Sequence, residues 1–464
     1  MLIQSFSGIR GIYNKNLNED IARRYAYAYL QYLNKKAPKI VIGTDTRPSS
    51  ESLKKAIFDV FEDIIDLGIA TTPMTELAVR EYKADGGIII TASHNEPEWN
   101  GFKFLDKDGA VLRPKQINKV IANFSKIKNL PEQDFMNKLH KKDPEIHKIE
   151  KHHEDIKRRY YEFIISTINK KNIDLIKKHN FNLVLDPNGG AGIVTLDILK
   201  KLGINVIAIN KEPTIFKRKI EPNKDSLTYL KETINKNNAD LAAGFDCDAD
   251  RVELLLPDGS IVSGQYLITL IIDDILSGLK SPEKETIVVN DATSYLVKEI
   301  TSKHKAKLIE IEVGEVNVLD AMLLNNSKIG GEGSSAGAII PPSRCRDGIL
   351  TLLSILKIIA KRKKPLKDII SNYPAYFTLK DKVKFNPKGL KTIKNKIKQL
   401  YLKQGYRVQE TGDITGGLKI IIDNSFLWFR ASKTEEGILR IMADSKSREK
   451  AEYLLKEGKK FINA

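Results

Sequence analysis

Short continuous apolar runs alternate with stretches of helical spacing along most of this chain, and that order predicts α/β units. GGIIIT at 86–91 reads as a buried strand, and VIGTDTR at 41–47 as a strand running into a polar loop. SLKKAIFDVFEDIIDLG, residues 52–68, has the spacing of an amphipathic helix ended by glycine. From Asn129 to Glu154 the chain is charged and weakly periodic, a connection leading into a helix around RRYYEFIISTI. A second unit opens with FNLVLDPNGGAG, a strand and glycine turn, followed by the helix IVTLDILKKLG and the strand INVIAIN. A third runs from the PDGS turn at 257–260 through TIVVNDATS and IEIEVGE to the helix GILTLLSILKIIAKRKK. The order recurs, but no letter-level repeat supports a solenoid. Beyond Pro374 the texture changes. FTLKDKVKF, a lysine-rich helix, GLKIIID, FLWFRAS and GILRIMAD predict antiparallel strands flanked by helices. The expectation is three similar mixed-sheet α/β domains, 1–150, 151–256 and 257–370, followed by an α+β domain at 371–464.

At 464 residues and 41% hydrophobic content, the chain has material for several cores. Its two cysteines, Cys247 and Cys345, form no disulfide framework and suit a reducing compartment. MLIQSFSGIRGIYN lacks a basic region followed by an apolar stretch, so no signal peptide is expected. YLITLIIDDIL and ILTLLSILKIIA are broken by charge well short of the ~20 residues of a membrane span. These readings predict a cytoplasmic protein without a membrane partner. The net charge of +17 comes mainly from lysines spread over the chain, without the aromatic interleaving of a single-strand binder. A solvated surface, not a nucleic-acid partner, is expected. His140, His147, His152 and His153 fit no common metal spacing and read as exposed helix.

The candidate chemistry starts at TASHNEPEWNGFK, residues 91–103. Ser93 follows a buried strand, where α/β folds place reactive groups, with His94, Asn95 and Lys103 nearby. An ordinary polar turn has the same look. In GFDCDADR, residues 244–251, the alternating Asp246, Asp248 and Asp250 project to one side of an extended or gently curved loop and invite a hard cation. The sequence RVELLLPDGS that follows lacks the glycine and distal glutamate of an EF-hand, which favours Mg²⁺ completed by phosphate oxygens. A solvated acidic turn is the bland alternative. GGEGSSAG, residues 330–337, offers Glu332, Ser334 and Ser335 for sugar hydroxyls, or is simply a glycine-rich turn. FRASKTEEG, residues 429–437, places Arg430, Ser432, Lys433 and Thr434 where a phosphate could be held, or is a polar hairpin.

In this order, with FSGIRG at 6–11 and GTDTRPSS at 43–50, the motifs resemble the α-D-phosphohexomutase family along essentially the whole chain. The family comprises phosphomannomutases, phosphoglucomutases and phosphoglucosamine mutases. The resemblance implies that Ser93 carries a phosphoryl group, gives it to a hexose phosphate and recovers it from the hexose 1,6-bisphosphate. Asp246, Asp248 and Asp250 would hold Mg²⁺ with a phosphoserine oxygen. Arg10, Arg251 and Lys103 would add positive charge, Lys103 also being an acid/base candidate, and His94 would orient the serine. Glu332 and Ser334 would grip the sugar, and Arg430, Ser432, Lys433 and Thr434 the non-reacting phosphate. A central cleft shared by the domains is expected, in a monomer or homodimer, with mannose and glucose phosphates as substrates. Glucosamine phosphate is the alternative within the family, and a catalytically silent sugar-phosphate binder the alternative outside it. Three departures stand out. Ser335 and Ala336 replace a glycine and histidine common after the sugar-loop serine, Cys247 replaces a usual glycine, and Glu436 a common proline.

Overall fold

The apolar run at 86–90 becomes a central strand of a seven-stranded sheet in the computed structural model, which describes residues 2–5, 7–139, 148–433 and 437–463. Its strands are β1 (Ile3–Ser5), β2 (Gly8–Ile12), β3 (Lys39–Thr44), β4 (Asp63–Ile69), β5 (Gly86–Ile90), β6 (Trp99–Leu105) and β7 (Lys148–Lys151). They lie in the order β1-β2-β6-β5-β3-β4-β7. The run β5-β3-β4-β7 is parallel, and β6 turns back antiparallel on both β5 and β2. Helix α1 (Glu19–Leu33) is capped by Asn18, whose side chain accepts from the Ile21 amide. It covers one face with Tyr25 stacked on Phe124 at 3.8 Å between centroids, over Phe102 and Phe104.

The helix expected over 52–68 is instead two elements, helix α2 (Ser50–Phe58) and strand β4. Ile64, Ile65 and Leu67 are buried in a sheet that needs a parallel neighbour for β3, and that pairing overrides the weak helical spacing. The expected connection before residue 154 likewise contains the helix Glu132–Leu139 and edge strand β7. His140 and His147 lie outside the described residues. His152 and His153 open the helix His153–Ile168 but are not simply solvated: His152 meets Glu150 at 3.0 Å and packs on Tyr82.

Contacts divide the chain into two units, Met1–Ile261 with Ile340–Ala360, and Val262–Ile339 with Lys361–Ala464. Besides the first sheet, the first unit carries the strands β8 (Asn182–Asp186), β9 (Asn205–Ala208), β10 (Leu241–Phe245) and β11 (Val252–Leu255). β8 runs parallel to β9 and β10, and β10 forms an antiparallel hairpin with β11. Ile261–Val262 adds a short edge strand, β12, beyond β11.

The segment 340–360 supplies the first unit with Asp347, fully buried at the start of the helix Gly348–Arg362. Its Oδ1 accepts from the amides of Ile349 at 3.0 Å and Leu350 at 2.9 Å, and Tyr160 donates its hydroxyl at 2.8 Å. Burial outweighs these donors and pushes the carboxyl up to about 6. A folded-state value above that of a free carboxyl means the proton favours the fold, fully at low pH, and that contribution fades as pH rises through 6. Asp347→Asn is expected to flatten this limb. Measured by urea midpoints from about pH 4.5 to about pH 7.5, the variant should gain on the parent as pH rises.

In the second unit the four-stranded sheet has the order β14-β13-β15-β16, with β13 (Thr286–Asn290), β14 (Lys307–Ile311), β15 (Gly330–Glu332) and β16 (Gly337–Ile339). The carboxy-terminal sheet is antiparallel throughout, in the order β17-β21-β20-β19-β18. Its strands are β17 (Phe377–Lys384), β18 (Arg407–Glu410), β19 (Leu418–Ile422), β20 (Ser425–Ala431) and β21 (Ile438–Ser445). The helices Leu390–Lys403 and Arg448–Asn463 share its apolar face, over Leu418, Ile420, Phe429 and Ile441. The expected fold class, α/β sheets followed by an antiparallel α+β carboxy-terminal sheet, is therefore present. Among the described residues no helix is long and apolar enough to cross a membrane.

Candidate active site

Ser93 sits just beyond β5 with φ at 51°, a left-handed conformation that costs a non-glycine residue about 1 kcal/mol. Neighbouring groups hold it there. Thr91 Oγ1 accepts from the Ser93 amide at 2.8 Å. Arg47, whose side chain is wholly buried, spends all five N–H donors locally: Nε on Asp45, Nη1 on the carbonyls of Glu96 and Trp99, Nη2 on those of Ser93 and Asn95. One guanidinium thus fastens the whole loop after Ser93. Arg47→Lys cannot reproduce this fork and is expected to cost about 3 kcal/mol of stability, as for breaking a buried pair. Chemical denaturation checks the loss.

The second component is the turn from β10 to β11. Asp246, Asp248 and Asp250 are buried, and each offers an oxygen within 4.8 Å of the others. The loop is a turn tighter than the extended or gently curved loop expected, with the Ala249 amide returning to the Asp246 carbonyl at 3.2 Å. Its left-handed residue is Ala249, φ 54°, so Cys247 needs no glycine-like freedom. Cys247 is a buried filler beside Thr46, and burial pushes its thiol up.

These two components meet within the first unit. Ser93 Oγ donates to Asp246 Oδ2 at 3.1 Å. Lys103 Nζ donates to Asp248 Oδ2 at 2.7 Å and Asp250 Oδ2 at 3.2 Å, and Arg346 Nη2 to Asp250 Oδ2 at 2.8 Å. Thr72, in the first turn of helix α3 (Thr72–Glu81), donates its hydroxyl to Asp248 Oδ2 at 2.6 Å. Arg251 gives its amide to Asp246 Oδ1 at 3.2 Å. Even so, Asp248 Oδ1 and Asp250 Oδ1 are buried without a hydrogen-bond partner among the described residues. Orphaned oxygens on two carboxylates beside a third acid fit a hard divalent cation.

The electrostatics point the same way. Burial first, then Asp250 and Asp248, pushes the Asp246 carboxyl well up. Burial opposes ionisation of Asp250 too, but Arg346, Lys103 and Arg251 outweigh it and hold that carboxyl well below its usual range. Burial and the like charge of Arg251 push Arg10 down to about 10, and its Nη1 donates to Asn95 Oδ1 at 2.8 Å. His94 does not orient the serine through a hydrogen bond. Its Nδ1 has no partner among the described residues, and burial with Arg251 and Arg10 holds the imidazole well below its usual value, hence neutral. Orientation comes from Thr91, Arg47 and Asp246.

The sequence reading assigned no role to Arg47, Thr72 or Arg346. Arg47 had a signal, since it closes the TDTR stretch after β3. Arg346 and Thr72 had none, because each acts on a carboxylate in a distant segment.

The second unit holds the other expected groups. Glu332, at the end of β15, is buried; its Oε1 accepts from Asn290 Nδ2 at 3.0 Å and the Gly314 amide at 2.8 Å. Asn290 also donates to Ser334 Oγ at 3.0 Å, so Glu332 and Ser334 share one amide. Arg430, on β20, and Lys433 converge on Glu312, with Nη2 at 3.3 Å and Nζ at 2.6 Å from Oε1. The Ser432 amide donates to the Ile438 carbonyl at 2.8 Å. Thr434 and Glu436 lie outside the described residues, as does the Ser335 side chain.

Three sequence models of the phosphoglucomutase/phosphomannomutase family match this chain: α/β/α domain I at residues 2–131, domain II at 158–259 and domain III at 263–376. A "Phosphoglucomutase/phosphomannomutase" of Thermococcus kodakarensis is 34% identical, over 98% of this chain and 97% of its own. A "Probable phosphoglucosamine mutase" of Pyrococcus horikoshii is 31% identical, over 99% and 97%. Among solved structures, a phosphoglucomutase/phosphomannomutase family protein from Burkholderia thailandensis shares the fold. Its TM-score is 0.79 at 18% identity, covering 99% of this chain and 97% of that one.

Proposed function

We infer, for a chain that belongs to the phosphoglucomutase/phosphomannomutase family and is therefore an isomerase moving phosphate within a sugar, that Ser93 is the phosphoryl carrier and mannose and glucose phosphates are the substrates. The observation that carries this reading is the 3.1 Å approach of Ser93 Oγ to Asp246 beside two buried carboxylate oxygens that have no hydrogen-bond partner among the described residues. Phosphorylated Ser93 would give its phosphoryl group to the free hydroxyl of a hexose 1- or 6-phosphate, leaving a 1,6-bisphosphate. The sugar hydroxyl's proton would end on Ser93 Oγ; once the bisphosphate has reversed, its other phosphate would return to Ser93, whose proton passes to the sugar oxygen released.

Phosphoryl transfer asks for positioning and charge neutralisation more than for bond-making groups from the protein. Asp246, Asp248 and Asp250, with a phosphoserine oxygen, would hold Mg²⁺; when bound, it neutralises charge on the group in transit. Arg251 and Arg10 add positive charge around it. Lys103 does the same while bound to Asp248 and Asp250, which suits a fixed cation better than the acid/base role. In the second unit, Glu332 and Ser334 would accept and donate to vicinal sugar hydroxyls. Arg430, Ser432, Lys433 and Thr434 would take the phosphate that is not reacting.

Relatives of nearly equal identity carry the phosphoglucosamine name, so glucosamine phosphate is the second reading. A turnover panel decides between them: glucose, mannose, glucosamine and N-acetylglucosamine 1-phosphates with Mg²⁺ and a trace of sugar bisphosphate. Mannose and glucose 1-phosphates should turn over fastest. A higher kcat/KM for glucosamine 1-phosphate overturns the substrate assignment, and binding without turnover of any sugar marks a silent binder.

A further inference from the structure

We propose that the Glu312 carboxylate is a built-in occupant of the anion cradle formed by Arg430 and Lys433, and that a substrate phosphate must displace it. The proposal rests on reading that cradle as the seat of the non-reacting phosphate. All the groups lie in the second unit. Glu312 follows β14 directly and places Oε1 against both cations. It satisfies them unequally. Lys433 Nζ is at 2.6 Å, but Arg430 Nη2 is at 3.3 Å and is shared with the Val313 carbonyl at the same distance. Arg430 Nε is buried without a hydrogen-bond partner among the described residues.

A single carboxylate oxygen therefore underuses a guanidinium whose fork suits an anion with several oxygens. A phosphate monoester offers three terminal oxygens and more charge, so it is the stronger occupant. The carboxylate's place is also made for it. Gly412 has φ at 68°, and a Cβ there would lie 2.2 Å from Glu312 Oε2, so the loop bearing Gly412 leaves room for the acid. The Arg430 Nε donor, buried without a hydrogen-bond partner among the described residues, leaves the cradle attractive to a multi-oxygen anion even when filled. The arrangement gives selectivity: a weak anion meets a competitor already in place, and only a ligand also held through its sugar gains enough to evict it.

The test is binding of inorganic phosphate and of glucose 1-phosphate to the full chain by calorimetry. Glu312→Gln should tighten both. If the carboxylate fills the cradle about nine-tenths of the time, the apparent Kd falls about tenfold, because competent protein is only the open fraction. KM for the sugar phosphate should fall with it. Glu312→Ala serves as a second variant if Gln does not fold. Affinity unchanged or weaker in the folded variants makes Glu312 an anchor for Arg430 and overturns the proposal. Arg430→Met separates this from failure of the cradle reading. If that substitution leaves glucose 1-phosphate binding intact, the cradle itself is misassigned and the competitor with it; if it weakens binding while Glu312→Gln does nothing, only the competitor is lost.

Discussion

Ser93→Ala is expected to lower mutase turnover on the order of 10⁴-fold or more, the scale for deleting a nucleophile from a covalent relay. In the proposed relay the protein gives up one phosphoryl group before the sugar reverses and takes the other back afterwards, and among the described residues the hydroxyl held 3.1 Å from Asp246 is the one placed to do both. Thr72 is committed to Asp248 at 2.6 Å. Alanine also keeps the fold, since the left-handed backbone is fixed by Arg47 through the Ser93 carbonyl, not through its side chain. Two measurements go together. Intact mass should lose the increment of one phosphate, and glucose 1-phosphate should still bind. Turnover within tenfold of the parent, or a phosphate that persists in the variant, would sink the assignment.

Asp246→Asn comes second. Removing one charge from the trio is expected to cut kcat on the order of 10³-fold, the size of effect seen when a group stabilising transferred charge is lost. Activity should recover in part at high Mg²⁺. Stability is expected to move the other way in chelator. Asp246 is the carboxyl that burial and its two acidic neighbours push well up, so its ionised form opposes the fold without a cation. An amide removes that repulsion while still accepting from Ser93 or the Arg251 amide. In chelator the variant should therefore unfold at no lower denaturant concentration than the parent; with Mg²⁺ present the parent should regain the lead. A variant that is destabilised in both conditions while keeping full activity would show that Asp246 is a structural acceptor only.

Much of this was legible along the chain, for reasons that differ from element to element. β5 declared itself because five consecutive apolar or glycine positions suit only a strand buried on both faces. The carboxy-terminal meander was visible because its apolar runs are separated by turn residues. β4 was hidden, since the spacing in EDIIDLG satisfies a helix as well as a strand, and only its parallel pairing with β3 decides. The acid trio was readable from spacing, but its geometry was not. The carboxylates converge because the chain turns at Ala249, a residue with no sequence signal for a left-handed conformation. The supporting groups were the least legible. Thr72 and Arg346 act across 176 and 96 residues, and nothing local to either announces it.

Arg346 reaches Asp250 from a stretch of chain that leaves the second unit at Ile339, serves the first, and departs again after Ala360. The unit that holds Ser93 and the aspartate trio is consequently not a contiguous stretch of chain. A fragment stopped at Ile261 would carry every carboxylate of the trio yet lack the arginine that neutralises one of them and the buried Asp347 that Tyr160 grips. Recombination that swaps the two units as cassettes must therefore respect three junctions rather than one, which ties inheritance of the Ser93 and aspartate cluster to that of the unit carrying Glu332 and Arg430.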